Sequence, residues 1–189
     1  GRRSDAPEPR ILEATRGAIL ARQEEGIPLL LEQFRSPDKG RFQIALSTAR
    51  EFPGGEVDKA LAAELGRAAP ERAALIVRAL ADRPDTVQLA AMLQAAEQGP
   101  TQVRTAAIEA LGRVGDASCL ASLLSIAVEA DADIAQAAKA SLASLPGDQV
   151  DARIVALLPE AEGKTHPLLI ELVGLRRLNA VPILRGALD

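Results

Sequence analysis

The sequence has no tryptophan and no tyrosine, and its three phenylalanines, Phe34, Phe42 and Phe52, all fall in the first third. Sites that stack bases or clamp large planar ligands rely on aromatic faces, so such roles lose ground over the remaining two thirds. A single cysteine, Cys119, excludes an internal disulfide and favours a reducing compartment. No run approaches about 18 apolar residues, and no charged segment leads into an apolar one, so neither a membrane span nor a signal peptide is visible. Strand-like alternation and β-branched runs are missing as well. So are a Gly-rich phosphate loop, a zincin helix, a CxxC pair and a nucleophile elbow, which leaves catalysis without a seat. The expectation is a non-enzyme with no cofactor and no metal.

The charge balance excludes more. With 22 basic and 26 acidic residues, the net charge is only -4, too small to hold the protein on nucleic acid or an anionic membrane. The first 94 residues balance at 14 against 14, and the acidic surplus lies entirely in the rest. At 48% hydrophobic over 189 residues, the chain is too apolar to be intrinsically disordered. It opens on Gly1 and not Met, and GRRSDAPEP reads as a Pro-rich linker or tag remnant over residues 1–9, with the native N-terminus upstream. Cytoplasmic placement is therefore favoured only on the cysteine. Arginine outnumbers lysine 18 to 4 and alanine is abundant, which points to a GC-rich bacterial source.

What is present is a beat. Helix breakers and caps stand at Asp38, Gly54, Pro70, Pro84, Pro100, Gly115, Asp131, Gly147, Gly163 and Asn179, 14 to 16 residues apart. Between them apolar residues recur at helical spacing, as in Leu120, Leu123, Leu124 and Ala127. Helices of about 11 to 13 residues are marginal alone, so packing must supply their stability. Two helices make a unit, and the unit repeats: ALADRPD at 79–85 aligns with ALGRVGD at 110–116, and SLASLPGD at 141–148 follows one unit later. A period near 31 residues marks supersecondary units that bury their apolar faces only by stacking. Arg10, Arg41, Arg72, Arg104, Ala135 and His166, spaced by 31 or 32, form a ladder near the start of each unit's first helix.

The stretch VRTAAIEALGRVGDASCLASLLSIAVEADAD, with its Val-Arg, Ala-Leu-Gly, Gly-Asp and acidic turn, resembles the short HEAT-like repeat of the phycobilisome-lyase type. Unit three departs from it with Arg83-Pro84-Asp85 at the turn, and unit five has Ala135 in place of the ladder arginine. The resemblance implies an all-α, right-handed α-solenoid, an armadillo-like superhelix of about six hairpins. These occupy residues 10–189 as one domain, with units near 10–37, 38–69, 70–99, 100–130, 131–162 and 163–189. It also implies that the ladder residues Arg10, Arg41, Arg72, Arg104 and His166 fix the stacking, and that second helices line a concave side.

On that arrangement the second helices of units three and four, 86–96 and 117–128, present Gln88, Gln94, Ser118, Ser122 and Ser125 as their strong polar positions besides Thr86. After Asp116 no charge occurs until Glu129. Such a helix either packs tightly between neighbours or lines a groove that lets a partner's backbone approach. Cys119 reads as a packing residue, since nothing nearby in sequence would activate it. Asp131 with Asp133, Asp148 with Asp151, and Glu160 with Glu162 lie at helix boundaries, where capping is the default role for the aspartates.

The function expected is a monomeric interaction scaffold whose partner is a protein, a peptide or another domain of a longer chain, with no nucleic acid and no membrane involved. The alternative is an enzyme or nucleic-acid protein on the same scaffold. A DNA glycosylase of HEAT-like repeats would need a basic, aromatic inner face, and a bilin lyase would need pigment-handling groups.

Overall fold

The computed structural model describes residues 8–179. The chain forms α1 (Glu8–Ala21), α2 (Ile27–Arg35), α3 (Lys39–Glu51), α4 (Glu56–Leu65), α5 (Pro70–Ala81), α6 (Leu89–Gln98), α7 (Thr101–Val114), α8 (Leu120–Glu129), α9 (Ala132–Ser144), α10 (Asp148–Leu157) and α11 (Thr165–Leu175). Single 3-10 turns, Gln23–Gly26, Ala117–Cys119 and Leu158–Glu160, adjoin α2, α8 and α10. The described residues are all helix and connection, with no strand among them.

Four helices start on an even step of 31 residues: α3 at Lys39, α5 at Pro70, α7 at Thr101 and α9 at Ala132. The cause is local. Asp38, Ala69, Pro100 and Asp131, the residues just before them, all hold extended backbone, with ψ of 126, 149, 153 and 153°. Each lets the preceding turn end and the next helix begin. Their side chains differ in what they add. Asp38 Oδ1 accepts the Arg41 N–H at 2.8 Å, whereas Asp131 makes no side-chain cap bond. At α5 the missing donor of Pro70 costs nothing, because a first-turn N–H has no partner within the helix.

The second helices keep looser time. Thr86 and Gln88 lie outside α6, because Pro84 and a turn closed by the Thr86 N–H on the Arg83 carbonyl delay the helix to Leu89. Ala117 to Cys119 form a 3-10 turn in which Asp116 Oδ1 accepts the Ser118 N–H at 2.7 Å, so α8 proper begins at Leu120. These are corrections to the expected helices 86–96 and 117–128.

The helices gather in two compact units, divided in sequence between Gln88 and Leu89, inside the third expected hairpin. In the first, α1 packs on α3, α3 on α5 and α2 on α4, while α2 and α4 also pack on α3 and α5 respectively. In the second, α7 packs on α9, α9 on α11 and α6 on α8, with α6–α7, α8–α9 and α10–α11 contacts between successive helices. Within each unit, then, α2, α4, α6, α8 and α10 lean on the helix that follows, and α1, α3, α7 and α9 lean on the helix after next. Ten-residue helices such as α4, α6 and α8 would not persist alone. Each fully buried leucine or isoleucine stabilises the packed state by about 1.5–3 kcal/mol.

The cores differ in chemistry. The first unit buries Leu30, Phe34, Phe42, Leu46, Phe52, Leu61 and Leu80 in one cluster, with Phe34 and Phe42 edge to face at 5.6 Å. All three aromatic residues are thus core residues. The second unit buries aliphatic side chains instead, among them Met92, Ile108, Leu111, Leu123, Leu142 and Ile154.

Candidate functional site

The second helices α6, α8 and α10 belong to one compact unit, so their exposed residues can be compared directly. Helical periodicity turns one face of each to the core: Met92 and Ala96 on α6, Leu123 and Ala127 on α8, Val150 and Ile154 on α10. The opposite faces repeat at 31 residues. Ala90, Ala121 and Ala152 are exposed, and so are Gln94, Ser125 and Ala156. These six positions carry no charge and, apart from Gln94, no bulk. The flanks are charged, with Glu97, Glu129 and Arg153 exposed.

The five polar positions expected to line a groove separate on inspection. Gln94 is exposed on α6, and Ser125 is exposed on α8, where its hydroxyl reaches Glu129 Oε2 at 3.3 Å. Ser122 is half-buried. Ser118 sits in the 3-10 turn, its hydroxyl donating to Asp116 Oδ1 at 2.6 Å, so it secures the helix entry. Gln88 lies in the first compact unit, with its side-chain amide donating to the Thr86 carbonyl at 3.1 Å. Gln94 and Ser125 are the two of the five that stand exposed on a second helix; Ser122 is beside them but partly covered.

The ladder divides too. Arg72 donates to the carbonyls of Phe34 and Pro37 at 3.1 and 3.2 Å, at the end of α2, and lies over the Phe42 ring at 4.6 Å. Arg104 Nε donates to the Ala96 carbonyl at 3.0 Å, near the end of α6. Both cations thus meet the negative end of a helix, where each satisfies at least one carbonyl free of a helical partner. Arg10, Arg41 and His166 are exposed.

Cys119 is fully buried, and burial pushes its thiol up from the ordinary value, which favours the uncharged form. Asp116 moves the other way, its carboxyl held below the ordinary range by the Ser118 hydroxyl and then the Ser118 N–H. Of the paired acids, Asp151 is an ion-pair partner and not a cap, a correction to its expected role. No three side chains of metal-ligating type converge among the described residues.

The residues that composition and spacing left unmarked are two arginines, Arg83 buried and Arg176 half-buried. Arg83, in the turn after α5, forks onto Asp58 with Nε–Oδ1 at 2.7 Å and Nη2–Oδ2 at 3.1 Å. It also donates to the carbonyls of Ala49, Phe52 and Gly54 at 3.0, 2.6 and 2.6 Å, closing the end of α3. Its side chain is 7% exposed and that of Asp58 is 0%. Arg176 repeats the plan: Nε meets Asp151 Oδ1 at 2.7 Å, and Nη1 donates to the Leu142 and Ala143 carbonyls at 2.9 and 3.1 Å. Beside it, an open depression of about 300 Å³ is lined by Ser144, Leu145, Gly147, Asp148, Asp151 and Arg176. In the first unit a wider groove of about 530 Å³ runs between α2 and α4, past Ile27, Pro28, Glu56, Lys59 and Ala60.

No family model matches the chain, and no curated protein matches it. No helix among the described residues is long and apolar enough to cross a membrane.

Proposed function

We propose that this chain is a non-catalytic interaction module, a right-handed α-solenoid of about six HEAT-like hairpins. It holds a peptide, a helix or a neighbouring domain on the side formed by its second helices. One observation carries the reading: six exposed positions on α6, α8 and α10, Ala90, Ala121, Ala152, Gln94, Ser125 and Ala156, recur at the repeat step and are uncharged and mostly small. A surface of this kind lets a partner's backbone come close without stripping water from charges, and main-chain groups can then find Gln94 and Ser125. The 31-residue step in helix starts supports the repeat architecture, because each copy presents the same positions to the same side.

The test is selection of binders from a displayed library of helical peptides on the intact chain, followed by titration of the selected peptides against variants. Ser125→Arg and Ala121→Arg are expected to weaken binding at least tenfold. Gln136→Arg, at an exposed position of the first helix α9, is expected to leave it unchanged. Selected peptides that bind all four proteins alike would overturn the assignment of the surface.

A further inference from the structure

The Asp58–Arg83 and Asp151–Arg176 ion pairs are the same arrangement met twice, the first buried and the second half-buried, with the Asp151 side chain 37% exposed. Asp58 and Arg83 stand 25 residues apart, as do Asp151 and Arg176, and the second pair follows the first by 93 residues, three steps of 31. Stepping by 31 between them, and once before, gives three more pairs at the same separation: Ile27 with Phe52, Leu89 with Val114, and Leu120 with Leu145. The chemistry changes in concert. Both members are apolar in three pairs and oppositely charged in two, and no pair sets a charge against hydrocarbon.

Two of the apolar copies are built into the core, while Leu89 and Val114 are half-buried. Phe52, Leu120 and Leu145 are buried, and Ile27 packs on the cluster that contains Phe52. Leu145 reaches the backbone that follows α7, where a Cβ on Gly115 would lie 2.9 Å from its Cδ1. Arg83 reaches the corresponding backbone after α3, at Phe52 and Gly54. One of the carbonyls that the arginine satisfies has a different neighbour in the apolar copy. Where leucine stands at 145, the neighbouring Ser144 hydroxyl donates to the Gly112 carbonyl at 3.2 Å. Two steps of 31 residues earlier, the carbonyl of Arg50 takes its bond from Arg83 itself at 3.4 Å.

We infer that these five pairs are copies of one slot, and that its charged form, present once in each compact unit, is a register lock that keys the helices of that unit to a single pairing. A repeated chain has many near-equivalent apolar faces, which can exchange partners during folding. Apolar slots tolerate such exchange. A charged slot does not, since pairing Arg83 or Asp58 with hydrocarbon would leave a buried charge without a counter-ion. A matched exchange of both members keeps the slot satisfied.

The test transplants the Leu120, Ser144 and Leu145 set into the first unit of the full chain and reads the urea midpoint by helical circular dichroism. Arg83→Leu alone is expected to lower the midpoint by about 1–2 M, by leaving Asp58 buried and unpaired. D58L/D82S/R83L is expected to recover at least half of that loss. The reciprocal experiment installs charge in the second unit: L120D is expected to unfold or nearly unfold the protein, and L120D/L145R to restore a cooperative transition. Should Arg83→Leu fail to fold, a folded triple variant supports the slot. A triple variant no more stable than Arg83→Leu, together with no rescue of L120D by L145R, would overturn it. These readouts measure stability alone, so they stand or fall separately from peptide binding.

Discussion

Single residues settle which of the charges matter locally. Asp38 and Asp131 occupy equivalent sites one residue before a helix, yet only Asp38 makes a side-chain cap bond. Asp38→Ala is therefore expected to cost about 1 kcal/mol in urea unfolding, and Asp131→Ala only a few tenths. Equal losses would mean that charge near the helix end, and not the hydrogen bond, is what stabilises. Cys119 makes a prediction of opposite pH sign to Asp116. Its folded-state thiol is raised by burial, so the folded protein keeps its proton where the unfolded chain has lost it, and stability falls as pH rises through the thiol range. Asp116 is held low by Ser118, so its contribution is present at neutral pH and is lost as pH falls through the carboxylate range. Cys119→Ala should flatten the alkaline limb of midpoint against pH, and Ser118→Ala the acid limb; thiol titration of the native protein should find Cys119 unreactive until denaturant is added.

At the scale of elements, close approach outweighs propensity where two helices meet. A Cβ at Gly112 on α7 would lie 2.8 Å from Ser141 Cα on α9, and the Ser141 hydroxyl bonds the Ile108 carbonyl at 2.8 Å across the same contact. Gly112→Ala should thus destabilise by about 1–3 kcal/mol, although alanine favours a helix by about 1 kcal/mol over glycine. Gly17 on α1 has open space around it, so Gly17→Ala should stabilise by about 0.5–1 kcal/mol. The sign difference, read from thermal midpoints, separates packing from propensity. Helix starts at Lys39, Pro70, Thr101 and Ala132 were legible because their signals lie within a few residues of each start. The second-helix starts were less so, since a 3-10 turn or a Pro-delayed turn shifts the entry without altering the apolar spacing. The bonds of Arg72 and Arg104 were legible only as a ladder, because their acceptors are main-chain carbonyls, which every residue has. Arg83 was read as part of a turn; its partner is 25 residues away, and only the fold brings Asp58 to it. Of the candidate surface, the charge-free run over 117–128 was legible, whereas the exposure of Ala90, Ala121 and Ala152 needed the packing of each helix.

At the scale of the molecule, a 31-residue step recurs in the starts of α3, α5, α7 and α9 and in the positions of the paired slot residues. Removing one whole step should then be tolerated, but only if the slot left behind is matched. Deleting residues 101–131 removes α7 and α8 and brings Leu89 and Leu145 to the 25-residue separation, hydrocarbon against hydrocarbon. Deleting residues 132–162 removes the same length, α9 and α10, but brings Leu120 to that separation from Arg176. The decisive measurement is urea unfolding of these two deletion proteins, followed by helical circular dichroism. The repeat account predicts a single cooperative transition for the first and a much lower midpoint, or no cooperative transition, for the second. A first deletion that cannot fold, or a second that is equally stable, would contradict it.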